Sequence, residues 1–215
     1  APEDILPIKA YDASGWTYRW EGGGVEGIVR TVEFMRLEAV WLGTPEQVVE
    51  IRWEMAKRTM EFADKVLDLE VRMVVGAPFY LSPEEASREV VDISGEGYPN
   101  VPTLDIEAYV AYRGPRDKAE WLELNGITVH RTKYVESFGI KGTTEVWTGC
   151  NGYGLTRYLA AFLARHGFDS DDWPKEVRER FERYGVDAGL VNADNFEVEA
   201  PVVCCTVQTL SLIHI

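Results

Sequence analysis

Thr148-Gly149-Cys150-Asn151-Gly152-Tyr153-Gly154-Leu155-Thr156-Arg157 runs without a break into residues 158–166, and its reading decides the fold. Gly152-x-Gly154-x-x-Arg157 reads as a glycine turn that opens an amphipathic helix, with an arginine one turn in. Leu155, Tyr158, Leu159, Phe162 and Leu163 follow the i, i+3, i+4, i+7, i+8 rule, which predicts one apolar helix face. Small residues at a strand-to-helix turn permit close backbone approach, and Arg157 then presents a fixed cation where phosphates would lie. The motif by itself fits a tight structural turn equally well. The residues upstream have to decide.

Residues 16–21 and 33–42 are rich in aromatic and β-branched side chains and read as strands. Gly22-Gly23-Gly24 and a short loop to Arg30 join them, which predicts an antiparallel hairpin with a long tip. Thr44-Pro45-Glu46-Gln47 is a helix start with a Thr cap, Pro at the first helical position and Gln three residues after the cap. The helix is expected to reach about Leu69, with Val48, Ile51, Met55, Phe62, Val66 and Leu69 on one face. Glu50, Arg52, Glu54, Lys57, Arg58 and Glu61 read as its solvated face. A strand is predicted over 71–80, broken near Gly76 and Pro78, then a short helix at Ser82-Pro83-Glu84-Glu85 and a Gly/Pro loop over 95–102. Further strands are predicted over 103–113, 118–131 and 140–148. Trp173-Pro174 starts a last helix (Val177, Phe181, Tyr184) that Gly185 stops. Strands, one long helix, more strands and then helices predict an α+β fold with a mainly antiparallel sheet flanked by helices.

A chain of 215 residues, 46% of them apolar, supports one core and at most a small second lobe. A net charge of −14 with 22 Lys+Arg leaves no broad basic footprint for nucleic acid, so an RNA partner needs a local patch or another domain. No run of about 18 apolar residues is present, and no charged segment leads into an apolar one at the start, so neither a spanning helix nor a signal peptide is expected. Three cysteines, two of them adjacent, make no disulfide framework, and a cytoplasmic setting is expected. The chain opens without Met in Ala1-Pro2-Glu3-Asp4. It closes in Leu210-Ser211-Leu212-Ile213-His214-Ile215, which resembles a translated transposase sequencing adapter. The expectation is therefore a gene fragment, with a partial catalytic domain over 1–209 and an artefact over 210–215.

Arg19 and Glu21, in Tyr18-Arg19-Trp20-Glu21, share a strand face. A cation beside a carboxylate suits a nucleotide, with arginine for phosphate and glutamate for an exocyclic amine. The plainer reading is a cross-strand salt bridge, which these residues alone favour. Arg30 and Phe34, at the far side of the hairpin, offer a second phosphate contact and a stacking ring. Glu123 and Asn125 alternate onto one face of a strand, as do Asp105 and Glu107. The latter pair either hold Mg²⁺ with a nucleotide or simply face solvent, the more economical reading.

An aromatic-Arg-x-Glu hairpin followed much later by Gly-x-Gly-x-x-Arg opening a helix resembles motifs 2 and 3 of the class II aminoacyl-tRNA synthetases. Glu33-Phe34-Met35-Arg36-Leu37-Glu38, Leu42-Gly43-Thr44-Pro45-Glu46-Gln47 and Trp147-Thr148-Gly149-Cys150 are similar to the archaeal, methanogen-type seryl-tRNA synthetases. They are also similar to their relatives, the amino acid:carrier-protein ligases. The resemblance covers residues 6–174. It implies a zinc ion held by Cys, Glu and Cys with one position open for the amino group of the substrate, the pattern of a catalytic rather than a structural site. Carried over, Glu38 is the middle ligand and Cys150 the last, while the first cysteine and motif 1 lie outside the chain. Without the resemblance, Cys150 reads as a small buried hydrophobe. Glu123 and Asn125 fall on the strand that contributes ATP, metal and amino-acid contacts.

The implied chemistry is attack of the serine carboxylate on the α-phosphate of ATP, with Arg19 and Arg157 neutralising phosphate charge and Mg²⁺ easing pyrophosphate release. Glu21, Arg30 and Phe34 complete the ATP site, and Glu123 and Asn125 meet the amino acid. Transfer to tRNA follows, with most tRNA contacts expected in an N-terminal region. Because the substrate carboxylate is itself the nucleophile, no protein base is required and His130 and His166 receive no role. A homodimer through motif 1 is implied, and no membrane partner. The alternatives are transfer of a small amino acid to a carrier-protein thiol, or a non-catalytic paralogue.

Overall fold

The computed structural model describes residues 3–20, 24–76, 102–167, 173–191, 195–197 and 199–205. In chain order it contains β1 (Ile8–Tyr18), β2 (Glu33–Gly43), α1 (Pro45–Glu61), β3 (Val71–Val75), β4 (Thr103–Ala108), β5 (Leu122–Arg131) and α2 (Lys133–Ser137). These are followed by β6 (Trp147–Gly154), α3 (Leu155–His166), α4 (Trp173–Arg183), β7 (Ala188–Val191) and β8 (Val202–Cys205). The first six strands form one sheet in the order β1-β2-β6-β5-β4-β3, and every pairing in it is antiparallel. β7 and β8 form a separate parallel pair. The α+β fold with an antiparallel sheet is therefore present.

The helix start reads as expected. Thr44 and Gln47 close a reciprocal capping box: Gln47 N donates to Thr44 Oγ1 at 3.3 Å and Thr44 N donates to Gln47 Oε1 at 2.9 Å. α1 continues into a π-helical turn over Phe62–Val66 and ends at Asp68, whose φ is 52°. Val48, Ile51, Val66 and Leu69 are buried as the periodicity requires, while Met55 and Phe62 are half-buried. Arg52, expected on the solvated face, is instead 3% exposed beside the buried Trp53. Burial pulls its guanidinium down to about 10.

One face of the sheet carries the core. Trp41, Leu104, Ile106, Ile127 and Val129 pack against Val48 and Ile51 of α1. Leu122 and Leu124 pack with Tyr158, Ala160 and Ala161 of α3. α3 begins at Leu155, three residues before the expected start, and is rotated from its expected seat. Its two alanines and Tyr158 meet the sheet, while Leu155 and Leu159 are 40% and 52% exposed. Small side chains let the helix lie close to the strands, so the bulkier leucines turn outward.

Several strand boundaries differ from the expectation. β1 starts at Ile8 and stops at Tyr18, because an edge strand with both faces accessible carries no alternating burial signal. Tyr11, Trp16 and Tyr18 are all more than half exposed. The strand expected over 140–148 begins only at Trp147, and α2 with an irregular stretch precedes it. β6 then runs through Gly149, Gly152 and Gly154, so Gly152 and Gly154, read as a turn, are sheet residues. They are glycines because neighbours occupy the space of a side chain. A Cβ on Gly149 would lie 2.5 Å from the Trp41 ring. The strand expected over 103–113 ends at Ala108, and a 3₁₀ turn occupies Ala111–Arg113. The strand expected over 118–131 begins at Leu122. α4 starts at Trp173 and stops before Gly185, at φ 82°, as expected. The helix at 82–85, the rest of the segment over 77–101, Glu21 with Gly22 and Gly23, and the terminal hexapeptide lie outside the described residues.

Candidate active site

The other face of the sheet is polar, and register defines it. Glu38 pairs with Gly152, Gly152 with Gly126, and Gly126 with Asp105, so these four residues form one row across β2, β6, β5 and β4. Paired residues point to one side of the sheet, which places two carboxylates at the ends of a floor of bare glycine backbone. The acids lean inward: a Cβ on Gly152 would lie 2.8 Å from Glu38 Oε2, and one on Gly126 would lie 3.2 Å from Asp105 Oδ1. Asp105 is 5% exposed and Glu107 3%, so neither faces solvent, contrary to the simpler expectation. Glu107 Oε2 accepts from Arg72 Nε at 2.9 Å and Nη2 at 2.8 Å.

A cleft of about 260 Å³ opens over this floor. Arg19, Arg30 and Phe34 border it from the β1–β2 hairpin, Arg36 and Glu38 from β2, and Glu123 and Asn125 from β5. Cys150, Gly152, Thr156 and Arg157 close it from β6 and α3. A second cleft of about 240 Å³ shares Val29, Arg30, Glu123 and Arg157 with the first. Eight of the nine expected site residues therefore border one cavity. The ninth, Glu21, lies outside the described residues, so its pairing with Arg19 on a strand face has no structural counterpart here. Arg19 itself sits just past the end of β1, its N donating to Val32 O at 2.8 Å.

Arg157 is built in. Its Nε donates to Val29 O at 2.8 Å and its Nη1 to Glu123 O at 3.0 Å, with Glu123 Oε2 3.6 Å away. Two carbonyls from separate segments thus fix the guanidinium plane while its outer edge faces the cleft.

Glu123 and Asn125 do not share a face as alternation implied. Ile106 pairs with Asn125 but Glu107 with Glu123, so β5 carries a bulge at Leu124. Glu123 reaches both clefts. Asn125 is 2% exposed and its amide is engaged below the floor: Nδ2 donates to Asn151 Oδ1 at 2.8 Å, and Oδ1 accepts from Tyr158 OH at 3.0 Å. Burial raises the Tyr158 phenol, so it remains a donor. Asn125 borders the cleft while its side chain braces β5, β6 and α3.

Glu38 and Cys150 meet. The Cys150 thiol is pushed well up by burial and by the charge and hydrogen bond of Glu38, with a partial opposing effect from Arg36. Arg36 Nε lies 3.2 Å from Glu38 Oε2. A thiol and a carboxylate held together at a cleft wall suit a borderline-soft divalent cation, which would replace the shared proton. Among the described residues, no three His, Cys, Asp or Glu side chains close around one point. Sequence reasoning passed over His130, whose Nε2 lies 3.5 Å from Cys150 Sγ. Burial, and secondarily Lys133, lowers its pKa to about 4. The signal available was its place in a β-strand two positions beyond Thr128, the cross-strand partner of Cys150. No helix among the described residues is long and apolar enough to cross a membrane.

Comparison with known proteins bears directly on this geometry. The chain is 41% identical over 181 residues to the type-2 serine–tRNA ligase of Methanococcoides burtonii, covering 83% of the chain and 34% of that protein. It is 40% identical over 185 residues to the type-2 serine–tRNA ligase of Methanopyrus kandleri, again 34% of that protein. Among solved structures, a chain from a crystal structure of A. aeolicus tRNASec in complex with M. kandleri SerRS matches with a TM-score of 0.69 and 38% identity, over 85% of this chain and 34% of that one. No model of a known protein family matches. The chain thus spans about a third of the length of the curated relatives it matches.

Proposed function

We infer, from a chain related in sequence and fold to one third of the type-2 serine–tRNA ligases, that it is the motif 2 to motif 3 part of a catalytic domain that activates serine with ATP and passes it to tRNA. The observation that carries this reading is the convergence of Arg157, Glu38 and Cys150, from three separate parts of the chain, on one cleft over a glycine floor.

ATP lies with its phosphates between Arg19, Arg30 and Arg157, and its base against Phe34. Mg²⁺ accompanies the nucleotide. Serine lies over the paired backbone of Gly126 and Gly152, between the inward-leaning carboxylates of Asp105 and Glu38. Glu38 and Cys150 would hold Zn²⁺, which when bound would supply a Lewis-acid position for the substrate amino group. Glu123 stands beside the reacting groups. Arg157, fixed by two carbonyls, neutralises phosphate charge without reorganising as the serine carboxylate attacks the α-phosphate. Catalysis is by position and charge. Asn125 acts here as a brace for the floor rather than by touching substrate. The whole protein works as a cytoplasmic homodimer, with most tRNA contacts outside residues 1–209.

The test is aminoacylation by the intact protein that carries this chain. Serine esterified to tRNA supports the reading. Serine, glycine or alanine transferred to a carrier-protein thiol instead, with tRNA left uncharged, replaces it with the carrier-protein ligase.

A further inference from the structure

His130 lies on the strand beside Cys150, and the local backbone is shaped around it. The β5–β6 register shifts between Val129 and Arg131, and Arg131 takes a φ of 53°, the left-handed region that non-glycine residues avoid. A bulge of this kind redirects the side chain at its crest. Here the crest is His130, whose imidazole contacts a partner at each nitrogen. Nδ1 is 3.1 Å from Thr148 Oγ1, and Nε2 is 3.5 Å from Cys150 Sγ. The Tyr134 ring meets the imidazole edge-on at a centroid distance of 4.6 Å. Thr148 is 6% exposed.

The direction of these bonds follows from the sulfur. A metal-bound cysteine is a thiolate and can only accept. The carboxylate of Glu38 on the same sulfur has no proton to give while it is ionised. The imidazole Nε2–H is then the donor to sulfur, and in the neutral ring Nδ1 is an acceptor, which the Thr148 hydroxyl satisfies. The thiolate selects the tautomer, and the threonine hydroxyl, able to donate or accept, completes it and holds the ring in place.

We propose that His130, oriented by Thr148, is a positioning residue of the metal site that donates a hydrogen bond to the Cys150 thiolate and holds it toward the cleft. The proposal rests on the zinc reading above. Outer-shell partners of this kind typically contribute about 10–100-fold to metal affinity.

The test uses the intact protein, with zinc affinity measured by chelator competition and the cobalt-substituted form followed by its sulfur-to-metal charge-transfer band. His130→Gln and His130→Met have nearly equal volume, but only the glutamine keeps an N–H near the position of Nε2. The expected result is zinc binding about 10–100-fold weaker in His130→Met, within a few-fold of wild type in His130→Gln, and a red-shifted band in the methionine variant alone. Thr148→Val should weaken binding by a smaller factor. Equal affinities in the two His130 variants, or an unmoved band in both, would overturn the proposal. Cys150→Ser separates the two claims: if it retains wild-type zinc binding, the zinc reading itself falls, and this proposal with it. If it loses zinc while His130→Met does not, only the proposal falls.

Discussion

Gly152→Ala is the substitution whose consequence can be worked out most closely. The new methyl would lie 2.8 Å from Glu38 Oε2, 3.6 Å from its Cδ and 3.7 Å from Oε1. One carboxylate oxygen is therefore struck, and the carboxylate has to retreat by roughly half an ångström to restore ordinary contact. The struck group is the far end of a flexible side chain, so the backbone need not move. A strand alanine gains about 0.5–1 kcal/mol over glycine, and disturbing the partly exposed Arg36–Glu38 ion pair costs about 0–1 kcal/mol. The two roughly cancel, and the thermal midpoint should hold within a few degrees. Metal ligation tolerates only about 0.2 Å of displacement, so zinc binding should weaken by about 10–100-fold. Chelator competition and a thermal melt on the intact protein read both numbers. Unchanged zinc affinity would refute Glu38 as a ligand in this geometry. A collapsed melt would refute the claim that only the carboxylate is struck.

Gly149→Ala should behave oppositely, because its methyl would meet the Trp41 ring at 2.5 Å and Trp41 is 2% exposed. A loss of about 1–3 kcal/mol in denaturant unfolding is expected from overpacking, and an unaltered midpoint would contradict the packing described. Arg157→Ala removes both the guanidinium that faces the cleft and its hydrogen bonds to two carbonyls, so it should cost about 2 kcal/mol of stability as well as adenylate formation. Adenylate formation that survives would take Arg157 out of the mechanism. His130, held near pKa about 4 against an ordinary 6.5, binds fewer protons folded than unfolded between those values. Its contribution should thus destabilise the fold progressively as pH falls from 6.5 to about 4 and leave it unaffected above 6.5. His130→Gln should flatten that part of the stability–pH curve relative to wild type, and an identical slope would contradict the burial assigned to the ring.

The parts of the fold legible in the sequence were those with a local physical cause. The capping box at Thr44 and Gln47 defined the start of α1 because its hydrogen bonds join residues three apart. The helix stop at Gly185 was legible for the same reason. The end of β6 was misread as a turn because Gly152 is a glycine on account of Glu38, a residue more than a hundred positions away that a local reading cannot weigh. Arg52 was misplaced likewise, since charge pattern does not reveal burial. Eight of the nine residues singled out in the sequence border one cleft, yet two relations among them were not legible. The bulge at Leu124 separated Glu123 from Asn125, and the bulge before Arg131 aimed His130 at Cys150. Each depends on cross-strand register, which no single strand encodes.

Amino-acid-dependent ATP–pyrophosphate exchange, on the intact protein carrying this chain and with serine, threonine, glycine and alanine compared, tests the central claim most directly. Exchange with serine alone is the result that the proposed function predicts, with Arg19, Arg30 and Arg157 bordering the cleft. No exchange with any of the four, in folded and zinc-loaded protein, would contradict the account.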